Sequence, residues 1–246
     1  MKNNCKSNSK NQNQIEIRSW AEWFDLRAQY YDDPLSKIAY YLDGKLLPSE
    51  LMELTLQDAC NKLQITSECS LLDVGGGVGL FARKFQSKLK RIITTDISFS
   101  MAKDGSELTP GNNFIVTNAA TLPFKSYSFE RLLCYSVFHY FQDLPFVKKV
   151  LVEFIRVVKK GGLILIGDIP SQYHQTEGGG KQNNKKERPQ KPHYPPLLKH
   201  NLKTLEFEAE FFYEFCNENK VGCKVLNQNI KGKPASACRC DILIEV

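Results

Sequence analysis

Apolar side chains recur along this chain with two periods, and the switches between them mark where strands give way to helices. Leu71, Leu72 and Val74 read as the end of a buried strand, and Leu80, Phe81, Ala82 and Phe85 begin an amphipathic helix directly afterwards. A second strand is predicted over Arg91-Ile92-Ile93-Thr94-Thr95, then a helix near Ser98 to Gly105 and strands from Phe114 to Thr117 and Glu130 to Tyr135. The helix from Asp143 to Lys159 is the most periodic element, with Val147, Val150, Leu151, Phe154, Ile155 and Val158 on one face and Lys159-Lys160-Gly161 as its stop. A strand from Leu163 to Gly167 follows. Strand and helix alternate as βαβ units require, which predicts an α/β fold.

Upstream, Trp20, Trp23, Phe24 and Ala28 fall at helical spacing. Pro34 and Pro48 stand where first-turn prolines start new helices, and Leu51, Leu54, Ala59 and Leu63 extend the last apolar stripe. Downstream, the pattern lapses between Ser171 and Lys203, where Gly178-Gly179-Gly180 and Pro189, Pro192, Pro195 and Pro196 are interleaved with lysines. This reads as a flexible insertion, because structureless loops of that length are uncommon in a compact domain unless they serve as lids or arms. A helix from Leu205 to Asn219 resumes, and strands Cys223 to Asn229 and Cys240 to Val246, joined by a Lys231-Gly232-Lys233-Pro234 turn, close the chain.

The domain plan is a polar tail over 1–14, expected to be disordered, and one domain over 15–246. That domain divides into an N-terminal helical cover (15–66), a core (67–170), a basic insertion (171–203) and a C-terminal helix with two strands (204–246). A length of 246 residues with 42% apolar composition suffices for one full core. Met1 to Gln14 lacks the apolar segment of a signal peptide, and no run approaches a membrane span, so a cytoplasmic protein is expected.

Charge and cysteines narrow the picture further. The net charge is +6, but Lys2, Lys6 and Lys10 crowd the tail. Between Ser171 and Lys203 there are seven Lys/Arg against Glu177 and Glu187. The remaining chain is close to neutral, whereas a nucleic-acid binder spreads positive charge over a folded face. Of the eight cysteines, Cys60, Cys134 and Cys216 fall in apolar patterns, and no pair has metal-knuckle spacing, so no metal is expected. Cys238-Arg239-Cys240 is read as a strand with both thiols on one buried face.

The chemistry begins at Asp73-Val74-Gly75-Gly76-Gly77-Val78-Gly79, a glycine-crowded turn between strand and helix. Without a Cβ, such a turn lets a ligand approach backbone, and in doubly wound sheets ligands sit beyond the carboxyl ends of the strands. Leu80 holds the place where a dinucleotide fingerprint needs glycine. Asp73, two residues before the first glycine, would repel a pyrophosphate and welcome a cation. Asp96 ends the next strand 17 residues past the last glycine, suiting a carboxylate that accepts from ribose hydroxyls. Adenosine joined to an amino acid describes S-adenosylmethionine.

The order of these motifs resembles the class I S-adenosylmethionine-dependent methyltransferases over roughly residues 68 to 169. The glycine turn resembles the family's first motif; Thr95-Asp96-Ile97-Ser98 with Met101 the second; Asn118-Ala119-Ala120 with Leu122-Pro123-Phe124 the third. Ser128 to Tyr135 is similar to the fourth strand, and Glu153 to Gly162 to the helix and turn before the fifth. Asn118 replaces the usual aspartate, although its carbonyl can still accept, and Lys160 replaces a usual proline.

The resemblance implies a Rossmann-like, doubly wound, seven-stranded sheet, mostly parallel with an antiparallel C-terminal strand, plus N-terminal helices. S-adenosyl-L-methionine is then the cofactor, becoming S-adenosyl-L-homocysteine. Its expected site comprises Asp73, Gly75, Gly77, Gly79, Asp96, Ile97, Met101, Asn118, Ala119, Cys134 and Tyr31. His139 and Asp168 are the candidate acid/base groups, and Tyr30, Tyr135 and Tyr140 the candidate acceptor contacts. The chain lacks both the paired-proline motif of nucleic-acid amino methylation and any Pro-Cys pair for cytosine methylation. A small-molecule acceptor, a sugar or natural product among the options, is therefore expected at an oxygen or nitrogen. The alternatives are an RNA methyltransferase using the 171–203 arm, and a non-catalytic binding module of the same fold.

Overall fold

Near-continuous apolar runs along the central strands let one sheet bury both faces, and helices cover each. The computed structural model describes residues 16–42, 45–170, 200–228, 230–233 and 236–246; the tail and the 171–199 stretch of the insertion lie outside the described residues. In chain order the elements are α1 (Trp20–Tyr30), α2 (Pro34–Lys37), β1 (Tyr41–Leu42), β2 (Lys45–Leu46), α3 (Ser49–Lys62), β3 (Ser70–Val74), α4 (Leu80–Phe85), β4 (Arg91–Asp96), α5 (Phe99–Leu108), β5 (Asn113–Val116), β6 (Phe129–Tyr135), α6 (Leu144–Val157), β7 (Val158–Pro170), α7 (Ala209–Glu218), β8 (Gly222–Asn227) and β9 (Arg239–Glu245).

The main sheet has the order β5-β4-β3-β6-β7-β9-β8. β5, β4, β3, β6 and β7 pair in parallel, and β9 runs antiparallel to both β7 and β8. Leu72, Val74, Leu132, Cys134, Ile164 and Ile166 point into one core layer with α6 and α7, including Val150, Phe154 and Phe212. Leu71, Leu133, Leu163 and Leu165 point the other way, against Leu56 and Ala59 of α3, its C-cap Leu63, and Phe81 and Phe85 of α4. The sheet order reverses between β3 and β6, so the carboxyl ends of those strands flank a crevice.

Several boundaries differ from the sequence expectation for local reasons. The helical cover contains a β1–β2 hairpin, whose two-residue strands are too short to show a period. Pro48 is the N-cap of α3, while Pro34 does begin α2. α6 passes straight into β7: Val158 closes the helix through its N–H to Phe154 O and is itself already extended. The expected helix from Leu205 starts only at Ala209, because Leu205 donates its N–H to the His139 carbonyl at 2.8 Å. Cys238 is exposed in a 3-10 turn (Ser236–Cys238) and only Cys240 lies in β9, so the two thiols do not share a strand face. Cys60, Cys134 and Cys216 are buried as expected. No described helix is long and apolar enough to cross a membrane.

Candidate active site

The turn after β3 is built by backbone geometry. Gly75, Gly77 and Gly79 all have positive φ, and Gly79 caps α4 in the left-handed region. The turn is tied to the neighbouring strand, with Gly75 and Gly76 donating to the Thr95 carbonyl at 2.7 and 3.1 Å. Asp73 lies beneath it, 1% exposed, and its Oδ2 has no hydrogen-bond partner among the described residues. Burial, with the Asp96 carboxylate adding, pushes the Asp73 carboxyl up to about 7. A buried carboxylate oxygen without a donor is costly unless a ligand supplies one.

Asp96 ends β4 and faces the same turn. It accepts from Gly77 N at 2.8 Å through Oδ2 and from Ser98 N at 2.8 Å through Oδ1. Burial raises its carboxyl above the ordinary value, against the lowering effect of those backbone donors. Beside it Ile97 is 51% exposed, an apolar surface at the mouth. Asn118, after β5, bends its own loop by accepting from Ala120 N at 2.9 Å, and Ala119 between them is half-buried. Met101 is buried with Ala28 of α1 and Val78 of the turn, so it lies between cover and turn. Cys134 is fully buried in β6, its thiol raised well above the usual range by burial and by Asp73 and Asp96.

The N-terminal cover is fastened to this half of the site. Asp25 on α1 accepts from Ser98 Oγ at 2.6 Å and from Ser100 N at 2.9 Å, and Lys37 pairs with Asp104 of α5. Arg27 is fully buried, donating to the Lys37 and Ser36 carbonyls, with its guanidinium 4.7 Å from the Tyr31 ring. Tyr30 packs edge-on against Tyr31 and is half exposed.

The other half lies at the ends of β6 and β7. His139 and Tyr140 sit in a 3-10 turn (Phe138–Tyr140), and Tyr140 meets Trp20 and Phe24 of α1 at 4.5 and 5.3 Å between ring centres. His139 is 8% exposed, with Nδ1 unpartnered among the described residues; burial, then the Arg239 charge, lowers its imidazole to about 3. Asp168 is enclosed: Oδ2 accepts from the Ser136 hydroxyl, and Oδ1 from Lys233 Nζ at 3.0 Å and Gln228 Nε2 at 3.3 Å. Burial alone would raise its carboxyl, but Arg239 and Lys233 outweigh that and hold it below the usual carboxylate range. The Tyr135 hydroxyl accepts from Gln228 Nε2 at 2.7 Å.

Residues 72–166 match the family model for a methyltransferase domain. The chain is 30% identical over 112 residues to a malonyl-[acyl-carrier protein] O-methyltransferase of Hamiltonella defensa, covering 44% of this chain and 42% of that one. It is 32% identical over 105 residues to a ubiquinone/menaquinone biosynthesis C-methyltransferase of Rhizobium rhizogenes, covering 39% and 40%. The chain thus spans less than half the length of these relatives. In fold it is similar to Haemonchus contortus phosphoethanolamine N-methyltransferase 1, with a TM-score of 0.62, 14% identity and coverage of 91% of this chain and 48% of that one. Residues 72–166 of this chain thus resemble a methyltransferase domain, and the fold is the one that such enzymes share.

The glycine turn, Asp73, Asp96 and Ile97 thus lie together at the ends of β3 and β4, while Tyr135 and Asp168, joined through Gln228, and His139 lie toward the ends of β6 and β7. The sequence reading missed Asp25, Ser136, Gln228, Lys233 and Arg239. Lys233 carried a signal only as a turn residue, and Arg239 only as the spacer between two cysteines. Among the described residues no cluster of His, Cys, Asp and Glu could hold a metal ion.

Proposed function

We propose that the protein transfers the methyl group of S-adenosylmethionine to an oxygen or nitrogen of a small molecule. The observation that carries this reading is the orphaned Asp73 Oδ2 under a turn of positive-φ glycines. That pairing suits an ammonium group whose neighbouring atoms lie against backbone. Asp73, Gly75, Gly77 and Gly79 would receive the amino-acid end and Asp96 the ribose. Ile97, Ala119 and Asn118 would meet the adenine. Met101, Cys134 and Tyr31 back these positions from the core and the cover.

When bound, the cofactor supplies an electrophilic methyl group on a sulfonium. The chain's own task is to hold the acceptor atom in line with it, at about 3 Å. Tyr30, Tyr135 and Tyr140 would wall the acceptor. His139 is neutral, and among the described residues its Nδ1 has no partner, which fits a group that accepts a hydrogen bond from the acceptor and so orients it. Asp168, with both oxygens occupied, fits a group that fixes Ser136 and Lys233 in place. The relatives' names concern a malonyl group on acyl-carrier protein and quinone biosynthesis, which supports an acceptor other than nucleic acid. Calorimetric titration with S-adenosylhomocysteine is expected to show saturable binding below the millimolar range. Absence of heat at millimolar ligand would overturn the reading.

A further inference from the structure

We propose that Arg239 receives an anionic group of the methyl acceptor, a carboxylate being the simplest case; the inference rests on methyl transfer being the activity. Arg239 opens β9 opposite Pro170, the last residue of β7. Its Nη1 is tethered, donating to the Asp168 carbonyl at 2.8 Å and lying 3.6 Å from Asp168 Oδ2. Among the described residues its Nε and Nη2 have no partner, and the side chain is 26% exposed. A guanidinium held by one nitrogen and open along its other edge presents two parallel donors, which match the two oxygens of a carboxylate or phosphate.

The surroundings divide the charges so that Arg239 is the cation at the rim. Lys233 is nearly buried and committed to Asp168, and Asp241 is matched by Lys62 at 2.7 Å. His139, whose ring feels the Arg239 charge, has a buried Nδ1 with no partner among the described residues. Across the crevice, the cofactor half holds Asp25, Asp73 and Asp96, so an acceptor bearing negative charge is drawn to the opposite end.

Backbone strain marks the same place. Ser136 and Asp168 directly follow Tyr135 and Gly167, the last register pair between β6 and β7, and both adopt positive φ, +58° and +63°. Side-chain-bearing residues seldom hold that conformation, and such strain collects where a side chain must be aimed. Here it brings the Ser136 hydroxyl onto Asp168 and fixes the carbonyl that anchors Arg239.

The test titrates the full chain, with and without saturating S-adenosylhomocysteine, against acetate, succinate and the neutral succinamide at constant ionic strength. Saturable binding of the carboxylates and none of succinamide is expected. Arg239→Gln should weaken carboxylate binding by about tenfold or more and Arg239→Lys by less, since a point charge keeps attraction but loses the fork. S-adenosylhomocysteine affinity should stay within about twofold in both variants. Equal binding of succinate and succinamide by the wild-type protein, or unchanged succinate binding by Arg239→Gln, overturns the inference. Should Arg239→Gln fail to fold, Arg239→Lys and the wild-type contrast decide it. Failure of S-adenosylhomocysteine itself to bind overturns the methyl-transfer reading instead, and the cofactor-free titration still judges Arg239.

Discussion

Gly77 donates its backbone N–H to Asp96 Oδ2 at 2.8 Å, fastening the turn after β3 to the end of β4. One carboxylate therefore shapes the turn and faces the expected ribose position. Asp96→Ala removes both functions. S-adenosylhomocysteine affinity should fall roughly 30-fold, or about 2 kcal/mol, as for loss of a charge-assisted hydrogen bond. Calorimetry measures it, and unchanged affinity would show the ribose assignment to be wrong.

Asp73 makes stability depend on pH. Its folded carboxyl titrates near 7, through burial and the Asp96 charge, well above its ordinary value of 3.8. The folded state thus holds that proton more tightly than the unfolded chain does. The stability this contributes is present below about pH 4 and is lost as pH rises through 7. Thermal melts of ligand-free protein should show this decline, and Asp73→Asn should remove most of it; an identical slope in the variant would refute the assignment.

Gly76 and Gly161 offer a paired test of the turn. A Cβ at Gly76 would run into Asp73 Oδ2 and Thr94 Cγ2, whereas one at Gly161 would meet nothing within 4 Å and face only the strain of φ +72°. Gly76→Ala should cost about 1–3 kcal/mol through overpacking and abolish S-adenosylhomocysteine binding. Gly161→Ala should cost about 1 kcal/mol and leave binding intact. Denaturant melts and calorimetry on both variants separate local strain from loss of the site.

Asp25 holds the N-terminal cover on α5 through Ser98 and Ser100. Asp25→Ala should release α1 locally, raising amide exchange over Trp20–Tyr30 while exchange in β3 and β6 stays slow. Uniform protection across α1 in the variant would mean that the aromatic contacts of Trp20 and Phe24 suffice.

His139 should stay neutral across the physiological range, because burial and Arg239 lower it to about 3. Imidazole NMR signals assigned by loss in His139→Gln should not move between pH 5 and 8. A titration near 6.5 would show an exposed ring and remove the basis for an imidazole that stays neutral and only accepts a hydrogen bond.

What the sequence determined by itself was everything local: strand periods, the glycine turn, and the carboxylates at fixed distances from it. Those features rest on backbone geometry within a few residues, so Asp73, the glycines and Asp96 were legible before the fold was. Helix ends were less so, since Leu205 trades a helical turn for a bond to the His139 carbonyl, a partner 66 residues away. Only the tertiary structure joined Ser136, Asp168, Gln228, Lys233 and Arg239, which come from three separate stretches and bear no common spacing. Burial then decided their chemistry. Asp73 and Asp168 are the same residue type near strand ends, yet the first has no cation beside it among the described residues and is pushed up by burial, while the second lies between Lys233 and Arg239 and is held down.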